Sequence, residues 1–187
     1  MRPLLLPPLG IPLLALLLAA CSTGGGRIHY SHYGNYSYSI AQYGARTGEM
    51  ALAVFGNPTA ASPAALAAAV ADALDGTHVN RRTVFVPTDP PQTDSYRTVV
   101  VFGATTLETI CAPAPAAPAK PVAGTAGRIG AAYCHADEPL SFVSARHPAL
   151  AGPRDPALQA LLRGIGYELF PPENPEHRAD CGGPFCE

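Results

Sequence analysis

Four cysteines beyond the amino-terminal segment are the residues of this chain best suited to covalent chemistry. Cys111 and Cys134 stand at the two ends of a Pro- and Ala-rich stretch over 112–127, and Cys181 and Cys186 bracket a Gly-Gly-Pro-Phe turn. In an oxidising compartment an even number of cysteines favours disulfides. The spacing therefore predicts the pairs Cys111–Cys134 and Cys181–Cys186.

A metal site is the competing interpretation of the same residues. His177 with Cys181 and Cys186 would supply the imidazole and thiolate ligands that zinc and copper accept. His135 beside Cys134 offers a second such pair. The sequence contains no C-x-x-C pair, which is typical of thiol redox catalysts and of many zinc sites. We therefore expect disulfides and no cofactor.

A tyrosine-rich segment over 22–48 is the most suitable part of the chain for recognition. It holds five of the eight tyrosines, separated by Ser, Gly and Asn. A tyrosine ring offers a large amphipathic contact area at a small entropic cost, so we expect a glycan or protein of the cell envelope as partner. The candidate binding residues are Tyr30, Tyr33, Tyr36 and Tyr38. A flexible tether is the alternative, and His29 and His32 by themselves lack the third ligand of a zinc site.

Motifs of the common enzyme classes are missing from the sequence. It contains no G-x-S-x-G, no G-x-x-x-x-G-K-[ST], no G-x-G-x-x-G and no H-E-x-x-H. His78, His135 or His147 could each join a Ser/His/Asp arrangement, but loose serines and aspartates are too common to indicate one. The formal charge of -2 argues against a nucleic-acid partner. A binding or adaptor module is thus favoured over an enzyme.

The amino terminus has the pattern of an export signal. Arg2 precedes an apolar run over 13–20, which is shorter than the roughly 20 residues needed to span a bilayer. The run ends in Leu18-Ala19-Ala20-Cys21, which resembles the lipobox of bacterial prolipoproteins. The resemblance implies removal of residues 1–20 and acylation of Cys21, which would attach the protein stably to a membrane. Because Ser22 rather than Asp follows Cys21, it also implies the periplasmic face of the outer membrane rather than the inner membrane.

Hydrophobic patterning predicts one domain over 49–170, between a tether over 21–48 and a tail over 171–187. Two helices are predicted where an N-cap residue precedes proline at the first helical position, at Ser62-Pro63 and Asp155-Pro156. Strand patterns occupy 50–56, 83–86, 96–102, 128–135 and 140–145. The economical fold is an α+β two-layer sandwich, with two helices on one face of a mostly antiparallel sheet of four to five strands. Residues 112–127 would form a surface loop.

Two short motifs flank the predicted helices. Gly56-Asn57-Pro58 precedes the first helix, and Leu169-Phe170-Pro171-Pro172-Glu173-Asn174-Pro175 follows the last. Both resemble segments of small proteobacterial lipoproteins of unknown function. The resemblance implies neither an activity nor active-site residues. The sequence thus predicts a lipid-anchored envelope protein and leaves its ligand open.

Overall fold

The computed structural model of the chain describes residues 26–77, 83–89, 95–113 and 122–176. These residues form an α+β domain with an open six-stranded sheet and three helices. The strands are β1 (Arg27–His32), β2 (Glu49–Phe55), β3 (Val84–Pro87), β4 (Tyr96–Phe102), β5 (Gly127–His135) and β6 (Glu138–His147). The helices are α1 (Tyr38–Gly44), α2 (Pro63–Leu74) and α3 (Pro156–Leu169). No helix among these residues is both long and apolar enough to cross a bilayer.

The sheet is mixed, with the strand order β1-β6-β5-β4-β2-β3. The first four strands in this order pair antiparallel, whereas β2 runs parallel to both β3 and β4. The sheet therefore has more strands than the four to five that were expected. Three of its five strand pairings are antiparallel and two are parallel. The additional strand β1 and the third helix α1 both come from the segment that we expected to be a tether.

The expected tether over 21–48 is wrong for its described part, and the folded domain begins before Glu49. Strand β1 pairs with β6 at an edge of the sheet, and Ser37 Oγ accepts a hydrogen bond from Ile40 N–H at the start of α1. Tyr33 and Tyr36 are buried in the main core. Burial of these large rings stabilises a segment whose local sequence is otherwise polar.

The two predicted helices are confirmed, together with their start signals. Ser62 Oγ accepts from Ala65 N–H at the start of α2, and Asp155 Oδ1 accepts from Ala157 N–H at the start of α3. Leu66, Val70 and Leu74 of α2 are buried against the sheet, as their helical spacing predicts. The strands predicted over 128–135 and 140–145 are also present, and they form the antiparallel hairpin of β5 and β6 with Ala136 and Asp137 between them.

A non-helical segment over 103–113 covers part of the face of the sheet opposite the helices. Ile110 and Cys111 of this segment are fully buried against the central strands. The structure joins Cys111 to Cys134 of β5 with a Cα–Cα distance of 5.8 Å, which is the pair that their spacing predicts. Arg97 of β4 is buried beneath the segment and donates from Nη2 to the carbonyl oxygen of Cys111 at 2.5 Å. The pair Cys181–Cys186 lies outside the described residues and stays a prediction.

The motif Gly56-Asn57-Pro58 forms the turn between β2 and α2. Gly56 has a φ of +73°, and a Cβ atom at this position would overlap the carbonyl oxygen of Phe102. The Asn57 side chain accepts from Thr59 N–H at 2.9 Å and donates to the carbonyl oxygen of Ala61 at 2.7 Å. Only glycine allows β2 to leave the sheet this close to the end of β4, and Asn57 then fixes the turn.

The second motif fastens the end of the described chain to β1 and α1. Phe170 is buried, and the carbonyl oxygen of Pro171 accepts from the Tyr36 hydroxyl at 2.7 Å. The buried Asn174 side chain donates from Nδ2 to the carbonyl oxygens of Tyr33 and Tyr36, each at 3.0 Å. Residues 171–176 are therefore part of the fold, although we expected the tail to begin at residue 171.

Candidate functional site

An open hollow of about 550 Å³ lies where α1 ends and where β2 and β4 begin. Its aromatic and ionisable lining residues are Tyr43, Arg46, Glu49, Tyr96 and His135, and we call it the ring hollow. The remaining lining residues include Thr47, Ala51, Val86 and Thr88. A larger hollow of about 680 Å³ between β1 and α3 is lined mainly by aliphatic side chains and has no aromatic ring. The ring hollow therefore has the more varied chemistry.

Tyr96 lies at the centre of the stacked rings. Tyr96 and His135 are direct partners in the register of β4 with β5, and their ring centroids are 4.4 Å apart with an interplanar angle of 27°. The Tyr133 ring lies 5.8 Å from Tyr96 at 21°, and the Tyr43 ring meets it edge-on at 5.9 Å. Such offset and edge-to-face contacts stabilise ring pairs beyond the burial of their area. The β4–β5 register thus holds a rigid aromatic surface at this end of the sheet.

Gly44 lets the end of α1 lie directly on this surface. A Cβ atom at Gly44 would overlap the Tyr133 hydroxyl and crowd Tyr96. The Tyr133 hydroxyl donates to the carbonyl oxygen of Ile40 in α1 at 3.1 Å. Burial raises the pKa of the Tyr133 hydroxyl, so it remains a neutral donor at physiological pH. Tyr43, which immediately precedes Gly44, is thereby held beside Tyr96.

Arg46 and Glu49 bring opposite charges to the rim of the rings. The Arg46 guanidinium lies 4.3 Å from the centroid of the Tyr43 ring, and its Nη1 donates to the Tyr43 carbonyl oxygen at 3.1 Å. Glu49 is exposed at the first position of β2. Neither side chain forms an ion pair within the described residues. Arg46 can therefore donate to a bound molecule, and Glu49 can accept from one.

This arrangement suits a ligand that has an apolar face and a polar edge. The apolar face would pack on the exposed Tyr43 ring and the neighbouring Tyr96 and His135 rings. Hydroxyl or amide groups at the ligand's edge would bond to the guanidinium, carboxylate and imidazole. A few polar groups around an apolar surface are the usual composition of small-molecule sites.

Two of the four tyrosines predicted as binding residues are unavailable to a ligand. Tyr33 and Tyr36 are 5% and 1% exposed, so that prediction is wrong for them. Their hydroxyls donate to Glu168 Oε2 and to the carbonyl oxygen of Pro171, each at 2.7 Å. Burial raises the pKa of both tyrosines, which keeps these donors neutral. Tyr30 and Tyr38 remain accessible, but neither lines the ring hollow.

The lining residues of the ring hollow that the sequence did not indicate are Tyr96, Arg46 and Glu49. His135 was indicated only as a metal ligand beside Cys134 or as a member of a Ser/His/Asp arrangement. Tyr43 belongs to the tyrosine-rich segment over 22–48, and the composition of that segment indicated a binding role only weakly. Nothing in the sequence indicated that Tyr96 and His135 lie together, because only the pairing of β4 with β5 stacks their rings.

The histidines do not assemble the predicted alternatives within the described residues. Cys134 is in a disulfide and is therefore not a thiolate beside His135. His32 Nδ1 lies 3.0 Å from Glu176 Oε1, while the buried His147 has Nδ1 2.8 Å from the carbonyl oxygen of Pro148. In the part of the chain that the structure describes, no three His, Cys, Asp or Glu side chains converge on one point. The remaining candidates, Cys21, His78, His177, Cys181 and Cys186, lie outside the described residues.

Neither a protein-family model nor a curated protein sequence matches this chain. Among solved structures, the chain is similar to a dodecamer of a PelC point variant from Paraburkholderia phytofirmans, with 10% sequence identity and a TM-score of 0.42. The similarity covers 77% of this chain and 96% of that one. A similarity at this level carries no information about the function of this chain.

Proposed function

We propose that this chain is a lipoprotein of the cell envelope, anchored through acylated Cys21 at the periplasmic face of the outer membrane, and that the ring hollow binds an envelope glycan. The observation that carries the binding role is the aromatic surface of Tyr43, Tyr96 and His135, with Arg46 and Glu49 at its rim. The resemblance of residues 18–21 to a lipobox supports the anchor.

A glycan fits the ring hollow because a sugar ring has two kinds of surface. Its C–H bonds form an apolar face that packs on tyrosine rings, and its hydroxyls both donate and accept hydrogen bonds. Arg46 would donate to such hydroxyls, and Glu49 would accept from them. Tyr43 is 57% exposed, so a ligand would cover a large apolar area there that now faces water.

The anchor and the domain are close together along the chain. Only residues 22–26 separate Cys21 from the first residue of β1. Even fully extended, this connection spans only about 20 Å. An acylated Cys21 would therefore hold the domain beside the membrane surface, within reach of the glycans of the envelope.

Acylation of Cys21 is tested by growing cells with a palmitate analogue and measuring its incorporation. We expect the parent chain to be labelled and Cys21→Ser to lose the label, because the thiol is the acyl acceptor. Cys181→Ser is the matched control and should keep the label. Equal labelling of Cys21→Ser and the parent would contradict the anchor.

Binding at the ring hollow is tested by co-sedimentation with purified peptidoglycan sacculi. We expect Tyr43→Ala to weaken binding about tenfold, since one aromatic contact contributes up to about 1.5 kcal/mol. Tyr167→Ala in α3 is the matched control, because Tyr167 is 55% exposed and does not line the hollow. Failure of the parent chain to sediment, or equal losses in both variants, would contradict this assignment.

A further inference from the structure

Three arginine side chains lie next to one another on the sheet. Arg27 of β1 is the register partner of Arg146 of β6, and Arg146 is in turn the partner of Arg128 of β5. Neighbouring strands are about 4.8 Å apart, so the three Cα atoms form a line roughly 10 Å long. We call Arg27, Arg146 and Arg128 the arginine row.

The arginine row is on the face of the sheet opposite the helices. Ile28, Ile129 and Ala145, which adjoin the three arginines along their strands, pack into the helix-side core. Side chains alternate between the two faces of a strand, so the arginines point to the other face. All three residues are exposed, and Arg27 of the edge strand also lines the hollow between β1 and α3.

No described carboxylate neutralises the arginine row. Ion pairs within the described residues join only Arg154 to Asp72 and His32 to Glu176. Like charges directly opposite one another destabilise a sheet. The mature chain is nevertheless mildly acidic, since removal of the signal segment takes away Arg2 and no acidic residue. Three neighbouring cations that no carboxylate in the described part of the chain pairs with indicate an anionic partner.

The surroundings of the arginine row favour a lipid surface as that partner. His29 and Ser144 line a shallow hollow together with Arg128 and Arg146. Tyr30 is 52% exposed and its ring lies 6.1 Å from that of Phe142, which belongs to the core of the same face. Tyrosine is enriched at membrane interfaces, where its ring contacts the acyl boundary and its hydroxyl the headgroups.

The position of the arginine row in the chain supports the same partner. Arg27 follows Cys21 by six residues, so an acyl anchor would keep this end of the row within about 20 Å of the membrane. Guanidinium groups bind phosphate oxygens in a bidentate manner.

We propose that the arginine row docks this domain on anionic phospholipid headgroups, with Tyr30 at the interface and the helices facing away from the membrane. This inference rests on the proposed anchor at Cys21. Docking would convert a loosely tethered domain into one with a fixed orientation on the surface.

A single fluorophore can test the docked orientation, because the chain contains no tryptophan. Tyr30→Trp places an indole beside the arginine row, and Tyr167→Trp places one on α3 as the matched control. Each acylated full-length protein is reconstituted in phosphatidylcholine vesicles with or without phosphatidylglycerol, and quenching by brominated lipids is measured. We expect strong quenching for Tyr30→Trp only with phosphatidylglycerol, and weak quenching for Tyr167→Trp in both vesicles.

Charge removal should weaken docking in proportion to the number of arginines removed. We expect Arg27→Gln, Arg128→Gln or Arg146→Gln each to lower the ratio of docked to undocked protein about fivefold, and all three together about a hundredfold. Added salt should have a similar effect because it screens exposed charges. Arg163 is an exposed residue of α3, away from the arginine row. Arg163→Gln therefore removes the same charge at a different place and should leave docking unchanged.

The outcomes separate this inference from the anchor itself. Protein that does not float with the vesicles overturns the anchor and the docking proposal together. Protein that floats but shows no quenching for Tyr30→Trp, or equal quenching in both vesicles, overturns docking alone. Quenching that survives the substitution of all three arginines also overturns the docking proposal. If the triple variant does not fold, unchanged quenching in the three single variants overturns the proposal in the same way.

Discussion

Breaking the Cys111–Cys134 disulfide is expected to lower the free energy of unfolding by about 3 kcal/mol. The two cysteines are 23 residues apart, and cross-linking ends at this separation removes that much chain entropy from the unfolded state. The bond also ties the segment 103–113 over the central strands, where Ile110 is buried. The change in unfolding free energy is measured by urea unfolding. The parent protein for this experiment carries Cys181→Ser and Cys186→Ser, so that Cys111–Cys134 is the only disulfide it can form.

The disulfide can be removed either by reduction or by substitution, and comparing the two separates its effect on the entropy of the unfolded chain from its effect on core packing. Reduction of the parent keeps both sulfur atoms in place, whereas Cys111→Ala with Cys134→Ala also leaves a small cavity. We expect the double variant to lose slightly more stability than the reduced parent and to be insensitive to reductant. A loss below about 1 kcal/mol by both routes would show that the bond does not stabilise this fold.

Asn174→Ala is expected to destabilise the protein by about 3 kcal/mol. The Asn174 Nδ2 group supplies hydrogen bonds to the carbonyl oxygens of Tyr33 and Tyr36, and Oδ1 accepts from Glu176 N–H at 2.9 Å. Without the amide, two buried carbonyl groups lose their donor, and each costs about 1–3 kcal/mol. Loss of Asn174 should therefore loosen β1 and α1 together with residues 171–176, as measured by amide hydrogen exchange of residues 27–44.

Two further variants show whether the hydrogen bonds of Asn174 or its volume cause the effect. Asn174→Asp keeps the shape but removes both N–H donors, so it should destabilise at least as much as Asn174→Ala. Asn35→Ala removes an exposed amide that donates to Glu138 and should cost less than about 0.5 kcal/mol. Full stability in Asn174→Asp would contradict the role of the two donors.

The features predicted correctly from sequence are those encoded by neighbouring residues. Ser62-Pro63 and Asp155-Pro156 mark the starts of α2 and α3, because a cap and a fixed proline φ act within one helical turn. The alternation of β5 and β6 around a two-residue connection is equally local. The Cys111–Cys134 pair could be predicted because both cysteines flank one loop.

The features missed by sequence analysis depend on partners far along the chain. Strand β1 and the burial of Tyr33 and Tyr36 require β6, Glu168 and Asn174. A segment of Tyr, Ser and Gly has no periodicity of its own, so its fold is decided by those distant contacts. The ring hollow has the same origin, since the register of β4 with β5 brings Tyr96 to His135.

The sequence by itself determined the local properties of this fold: two capped helices, one hairpin and the pairing of Cys111 with Cys134. It is also the whole basis for the proposed anchor at Cys21. Only the tertiary structure decided which surfaces carry chemistry. Arg27, Arg128 and Arg146 form no pattern along the chain and become a row of cations through strand register alone. The physical reason is that a local signal acts within a few residues, whereas a binding surface is made by side chains that strand pairing and core burial bring together.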